Sequence, residues 1–448
     1  MSLQDLFITP FYLALFYALA YVVRPKITNI YTKKYFIPAL TLKFIGAIAL
    51  GIIYQFYYNS GDTFNYYYHA TIIHDAFSES FFTGLKLLTA TKNSPDIAAY
   101  TIRMFWFGST GGDNTEFFVV RIAAFLGLFC FNCYTVIALF FALISFTGIW
   151  AMYITFLRLY PAAYKQLAIA TFFLPSVFFW GSGLMKDSLC LGALGWIFYG
   201  FYHGLILKRN ILRSALLGGL GAYLLIMIKV YILMSFLAPA SLWVFNENSQ
   251  RINNSLLRTL SKPFLIVMGL AVGYFGSVNL TKGDERFDVE KIGERSRITQ
   301  QALYSRTKDN GSAYDIGKLD GSLGSIISVA PQAIFVTLYR PFIWEARNPI
   351  MLLSALESLW FTWFTISILF RAGLARSLRL ISARPILPFC LMFTIIFAVG
   401  VGVNSGNFGT LVRYKIPLMP FYLSALYILY AEATAKARPT RARTTVAA

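Results

Sequence analysis

Apolar runs near 6–23, 36–57, 119–157, 166–181, 187–206, 214–245, 264–280, 326–339, 350–370, 386–403 and 415–431 set the terms for any fold of this chain. A helix crosses the hydrocarbon core of a bilayer in roughly 17–25 residues, and many of these runs reach that length. Backbone groups in lipid must bond within their own segment, so each such run is read as a helix. Of the 448 residues, 57% are hydrophobic and only 13% charged, where a soluble domain carries about a quarter charged. The sequence predicts an all-α, polytopic transmembrane helical bundle with interfacial helices in its extracytoplasmic loops. About 11 passes are expected, within a range of roughly 10 to 13. The runs 119–157 and 214–245 exceed one straight pass and are each expected to hold two short helices. Leu6 to Val23 reads as a retained helix, because no small-residue cleavage site follows a short apolar stretch.

Charge sets the expected orientation. Arg24, Lys26, Lys33 and Lys34 lie between the first two runs, and Arg371, Arg376, Arg379 and Arg384 between two later ones. Lys208, Arg209 and Arg213, the segment with Arg251, Arg258 and Lys262, and the tail with Lys436, Arg438, Arg441 and Arg443 complete the basic set. The positive-inside rule puts all of them in the cytoplasm. The net charge of +19 then reflects cytoplasmic loops, and no nucleic acid is expected as a partner. Residues 58–118 fall outside, with Asp62, Asp75, Glu79, Asp96, Asp113 and Glu116 outnumbering the bases there. The segment 281–349 is outside too if 326–339 dips into the membrane without crossing, and so is 404–414. The four cysteines, Cys130, Cys133, Cys190 and Cys390, lie in apolar runs and read as buried thiols.

Four stretches on that outer side carry chemistry. In "YYNSGDTFNYYYHA", Asp62 follows Gly61 at a helix end, and Tyr66, Tyr67 and Tyr68 come next. A carboxylate there suits a general base toward a hydroxyl, and the tyrosines suit stacking on a sugar ring. An interfacial acid in an ordinary aromatic belt fits the same residues. In "FLPSVFFWGSGLMKDSL", Pro175 ends a helix, the WGSG turn exposes amides, and Lys186–Asp187 opens the next helix, an arrangement suited to a phosphate. In "YRPFIWEARNP", Arg340, Glu345 and Arg347 suggest an anion site, or a salt-bridged loop. In "NSGNFGTLVRYKIPLMP", Arg413 stands outside against the positive-inside trend, beside Tyr414. A planar guanidinium holding phosphate would account for it. Lys229 interrupts "LLIMIKVYILM" and reads equally as a snorkelling or a functional cation. His69, His74, Asp75 and Glu79 allow a divalent metal only at unusual spacing, so no metal or other cofactor is required. No GxxxxGK[ST], GxSxG or HExxH occurs.

Three of these stretches resemble the membrane glycosyltransferases of the GT-C fold: Asp62 with "TFNYYYHA", "PSVFFWGSGLMKDSL", and "LVRYKIPLMP". The resemblance spans roughly residues 36–430. "YRPFIWEARN" and "NFGTLVRYKIP" also resemble external loops of bacterial O-antigen and exopolysaccharide polymerases. The first resemblance implies an additional helix and basic loop over 1–35 and a GT-C-like transmembrane domain over 36–435. The loops of that domain are 58–118 and 281–349, and a basic cytoplasmic tail over 436–448 follows. It further implies an inverting transferase in a bacterial cytoplasmic membrane, with its site on the extracytoplasmic face. The donor would be a polyprenyl-phosphate sugar and the acceptor a glycan, lipid or protein.

In that reading Asp62 is the base, and Arg413, Lys186, Arg340, Lys229 and Tyr414 hold the lipid phosphate. Tyr66, Tyr67, Asp75, Asp187, Glu345 and Arg347 serve the acceptor or support the site. The alternatives are a polymerase joining lipid-linked oligosaccharides, and a transporter or flippase of lipid-linked sugars.

Overall fold

Wherever the structure describes them, the apolar runs are helices. The computed structural model describes residues 3–107, 114–249, 292–307 and 311–434. The run 264–280, the bases Arg251, Arg258 and Lys262, Asp113, residues 281–291 and the basic tail 436–448 lie outside the described residues. The first two helices are α1 (Leu3–Ile27) and α2 (Lys33–Phe56). The acidic segment folds into α3 (Asp62–Glu79), α4 (Phe81–Thr89), α5 (Ala98–Thr101) and α6 (Thr115–Gly127). Then come α7 (Tyr134–Leu159), α8 (Tyr164–Phe172), α9 (Pro175–Trp180) and α10 (Lys186–Gly200), the last prolonged by a π turn over Phe201–Ile206. Next are α11 (Ile211–Ser249), α12 (Ile292–Thr307), α13 (Leu323–Tyr339) and α14 (Pro349–Ala372). The last four are α15 (Leu374–Ala383), α16 (Ile386–Val403), α17 (Phe408–Tyr414) and α18 (Met419–Thr434). Among the described residues there is no strand beyond one isolated bridge, Ala313 to Asn407.

Seven of these helices are long and apolar enough to cross a membrane, or eight if α17 and α18, bent by 67°, form one span. The protein is thus an all-α chain fit for multiple membrane passes, and the described residues do not bring the count to the expected 11. The run 119–157 divides at 128–133, and only its second half, α7, is long enough to span. The 166–181 run divides into α8 and α9, each too short alone.

The 39-residue α11 is two legs. Along its first leg, Ser214 lies by Gly200 and Gly221 by Ala193, approaching the start of α10. Past Lys229, Phe236 meets Phe198 at 6.5 Å and Trp243 meets Tyr202 at 6.0 Å, so the chain retraces α10 toward its other end. The reversal is at Lys229, whose φ of −148° and ψ of 73° leave the helical region. As expected, 214–245 holds two helices.

The two ends of the bundle differ in charge. At one end Arg24 donates to the Lys33 carbonyl, Arg371 to the Tyr430 hydroxyl (2.8 Å), and Arg384 pairs with Glu432 (2.9 Å). At the other end lie α3 to α6 and the starts of α7, α10 and α14. The helix α13 packs antiparallel to α16, with the Thr337 hydroxyl donating to the Ala398 carbonyl (3.0 Å). It stops where Tyr339 meets Tyr422 (2.8 Å), near the start of α18, and the chain is back at the acidic end by Asn348. Between α7 and α10 the backbones almost touch. A Cβ on Gly148 would stand 1.9 Å from the Gly192 carbonyl oxygen, so only glycine allows this crossing.

Candidate functional site

Four breaks in helical structure point at one place. Gly61, at a φ of +138°, turns the chain so that Asp62 starts α3, and a Cβ there would lie 2.3 Å from the Tyr54 ring. That combination of angle and contact requires glycine. The turn after α9 delivers Asp187 in the first turn of α10. Lys229 is the apex of α11. Arg413 and Tyr414 end the short helix α17, just before the 67° bend.

Their side chains form one ionic cluster. Arg413 donates from Nε to Asp187 Oδ2 (2.5 Å) and from Nη1 to Asp62 Oδ2 (2.7 Å). Lys229 donates to the other Asp187 oxygen (2.5 Å), and its Nζ stands 4.5 Å from the centre of the Tyr414 ring. Two cations face two carboxylates here, and the set is charge-balanced without any ligand. The acids are not equivalent. The Asp187 side chain is 3% exposed and that of Asp62 is 45% exposed. Asp187 is the fixed anchor of the two cations, and Asp62 the displaceable partner. Tyr66, one turn beyond Asp62 on the same face of α3, is buried against this cluster. Burial first, and then the Asp62 charge, push its hydroxyl well above the ordinary tyrosine range.

A cavity of about 460 Å³ opens beside Arg413 and Tyr414. Tyr54, Tyr58 and Trp180 give it aromatic faces, and Asn348, Asn407 and Thr410 give it polar ones. Asn348 and Asn407 are fixed by capping: their Oδ1 atoms accept from Met351 N and Thr410 N, both at 2.8 Å, at the starts of α14 and α17. The cavity continues past Trp180, Ile350 and Ser354 into an apolar groove of about 140 Å³ between α2, α9 and α14. Leu353, on the groove's rim, is 63% exposed on the outer surface of the bundle.

The other expected residues lie elsewhere. Lys186 bonds Glu116 (2.5 Å) and Thr115 (2.6 Å) of α6, not the Arg413 cluster. Burial opposes the Glu116 charge, but Lys186 more than compensates and holds that carboxyl below its usual range. Arg340 pairs with Glu345, which also accepts from Phe342 N (2.7 Å), and the guanidinium sits 5.0 Å from the Phe408 ring. Arg347 is exposed beside Gly311. Tyr67 donates to the Asn132 carbonyl (2.8 Å), and Tyr68 is exposed. Asp75 lies thirteen residues along α3 from Asp62, about 20 Å of helix, on the side of Tyr100.

Among the described residues no group of three or more His, Cys, Asp or Glu could hold a metal. Burial raises the thiols of Cys130 to about 12 and Cys133 to about 11, which makes both unreactive. Three buried charges gave weaker signals in the sequence: Lys43, Glu357 and Lys415, each a single ionisable residue in or beside an apolar run. Set against protein-family models, curated proteins and solved structures, the chain matches none of them.

His69, on the same helix as Asp62, is fully buried. It stacks on Trp106 at 4.9 Å, and neither ring nitrogen has a hydrogen-bond partner among the described residues. Burial lowers its pKa to about 4. The unfolded imidazole takes up a proton near pH 6.5, and the folded one refuses it until about pH 4. Stability is therefore full above pH 6.5 and drains as the pH falls toward 4, by about 3 kcal/mol in all. Thermal unfolding of the detergent-solubilised protein between pH 7 and 4 should show this loss. In His69→Phe, which keeps the stack, the slope should flatten.

Proposed function

We propose that the chain is a membrane glycosyltransferase that moves a sugar from a polyprenyl-phosphate donor to a hydroxyl acceptor at the extracytoplasmic face. One observation carries the reading: Arg413, whose Nη1 bonds the half-exposed Asp62 carboxylate, lines a cavity that runs into an apolar groove at the bundle surface. A lipid-linked phosphate sugar needs those three environments side by side.

Arg413 is the phosphate ligand. Its Asp187 bond is buried and stays, while its Asp62 bond, exposed and worth at most about 1 kcal/mol, yields to the incoming phosphate. That exchange frees Asp62 at the moment the donor arrives. Asp62 then takes the proton of the acceptor hydroxyl as its oxygen attacks the anomeric carbon. The bond from that carbon to the phosphate oxygen breaks, the electron pair leaves with the lipid phosphate, and configuration inverts. Arg413 holds the charge that develops on the leaving oxygen, with Lys229 behind it through Asp187. The aromatic faces of Tyr54, Tyr58 and Trp180 suit the sugar ring.

The polymerase reading has one observation in its favour. Arg347 packs beside Gly311, next to Ser312 of the cavity lining, so a second lipid diphosphate would meet a cation at that rim. The full chain in lipid nanodiscs, given radiolabelled polyprenyl-phosphate sugars and a hydroxyl acceptor, should transfer the label. Transfer only between polyprenyl-diphosphate oligosaccharides selects the polymerase, and flux of either lipid without a new glycosidic bond selects a transporter. In Arg413→Lys the charge remains but the fork is lost. Donor affinity should then fall by about 1–3 kcal/mol, read as the donor KM.

A further inference from the structure

The short helix α9, six residues from Pro175 to Trp180, forms a wall of both the cavity and the groove. It cannot hold itself there. An α-helix leaves its first four N–H and last four C=O groups without internal partners, and six residues are nearly all ends. Inside a membrane-embedded bundle no bulk water meets those groups.

Each end of α9 is instead gripped by an ionisable side chain from another helix. At its start, Glu357 of α14 accepts from Ser176 N (3.0 Å) and from Ser176 Oγ (2.6 Å). At its finish, Lys43 of α2 donates to the Gly181 carbonyl (2.7 Å) and to Ser145 Oγ of α7 (3.1 Å). Ser145 Oγ donates to the same carbonyl (2.7 Å), closing a triangle. Lys43 is 2% exposed and Glu357 8%, and among the described residues neither forms a salt bridge, although Lys415 lies close by on Ser358. Neither touches the Arg413 cluster. Burying an ionisable group in apolar surroundings is costly unless it is hydrogen-bonded, and these two direct their bonds to the ends of α9.

We infer that Lys43 and Glu357 are positioning residues for the ligand site. Together they fix α9, and with it Trp180, at the junction where the sugar cavity meets the apolar groove. The inference rests on the proposed lipid-phosphate reading, and it adds what sets the width of that junction. Through the turn at Gly181 to Met185 the same grip fixes the start of α10, from which Asp187 reaches Arg413.

The test has two readouts on the full chain in nanodiscs. Backbone hydrogen exchange over residues 175–187 asks about the grip with no ligand present. Affinity for polyprenyl phosphate asks about the site. Lys43→Met and Glu357→Leu should each speed exchange in that segment at least tenfold and weaken polyprenyl phosphate binding at least tenfold. Glu357→Gln, which keeps one accepting oxygen for Ser176, should fall between these and the wild type. A core control, Leu139→Ala, should lower thermal stability and leave both readouts unchanged. Unaltered exchange in both Lys43→Met and Glu357→Leu overturns the grip, and faster exchange with unaltered affinity overturns the positioning role. Wild-type protein with no affinity for polyprenyl phosphate overturns the transferase reading and the role built on it, while exchange still decides the grip itself.

Discussion

Asp62→Asn protein should reach the membrane in ordinary amount, unfold at nearly the wild-type temperature, and turn over about 10²- to 10⁴-fold more slowly. The rate falls because the amide cannot accept the acceptor's proton. Stability barely moves because the lost ion pair is exposed at Asp62, and exposed pairs are worth about 0–1 kcal/mol. Donor binding supplies a second signature. In the wild type the phosphate must displace Asp62 from Arg413, and in the variant that competitor is uncharged. Donor affinity should therefore stay the same or tighten by up to about fivefold, equivalent to about 1 kcal/mol. Steady-state kinetics with separate donor titration would read both. Full turnover in the variant would return Asp62 to the aromatic belt and remove the base from the mechanism. Weakened donor binding would show that Asp62 helps to hold the phosphate.

Asp187 should behave in the opposite manner. It is the buried acid that both Lys229 and Arg413 engage, so Asp187→Asn leaves two cations side by side inside the bundle. Breaking a buried pair by removing one partner costs about 3–5 kcal/mol. The single variant should unfold many degrees earlier or fail to accumulate. Asp187→Asn combined with Lys229→Met should recover much of that stability, because Arg413 still has Asp62 and no unpaired ammonium remains. Activity should not return with it, since the guanidinium is no longer anchored at Nε. Thermal unfolding of the single and double variants, with transfer assays beside it, separates the two effects. A stable single variant would mean that water reaches Asp187 and that the cluster is not a closed one.

The residues of this site were individually visible in the sequence, because a charge in or at the edge of an apolar run is costly and stands out. Asp62, Asp187, Lys229 and Arg413 could each be picked in that way. Their partnership could not: Asp62 and Arg413 are 351 positions apart, and no local pattern links them. Lys186 shows the same limit. Its neighbour Asp187 faces the cluster, while Lys186 itself turns to Glu116, since consecutive residues at a helix start point in different directions. Lys43 and Glu357 stand in the sequence as isolated charges, because their partners are distant backbone groups at the ends of α9 and the hydroxyls of Ser145 and Ser176, which leave no trace in composition. The fold was legible as helices, one basic end and an acidic segment over 58–118. The number of crossings was not, because apolar length alone does not show that 166–181 breaks into two short helices or that only α7 of 119–157 is long enough to span.

The order of these residues along the chain bears on how the bundle is assembled. Asp187 and Lys229 are separated by only 42 positions and lie on successive helices, so they can neutralise each other as soon as α10 and the first leg of α11 are in place. Asp62 waits at the exposed rim, where water serves it. Arg413 enters only after them, on the bent helix pair α17 and α18, and meets one acid already buried and one still wet. At no stage does the growing chain have to bury a lone charge of this cluster, and that helix pair closes a circuit whose other members were kept neutral or hydrated until it came.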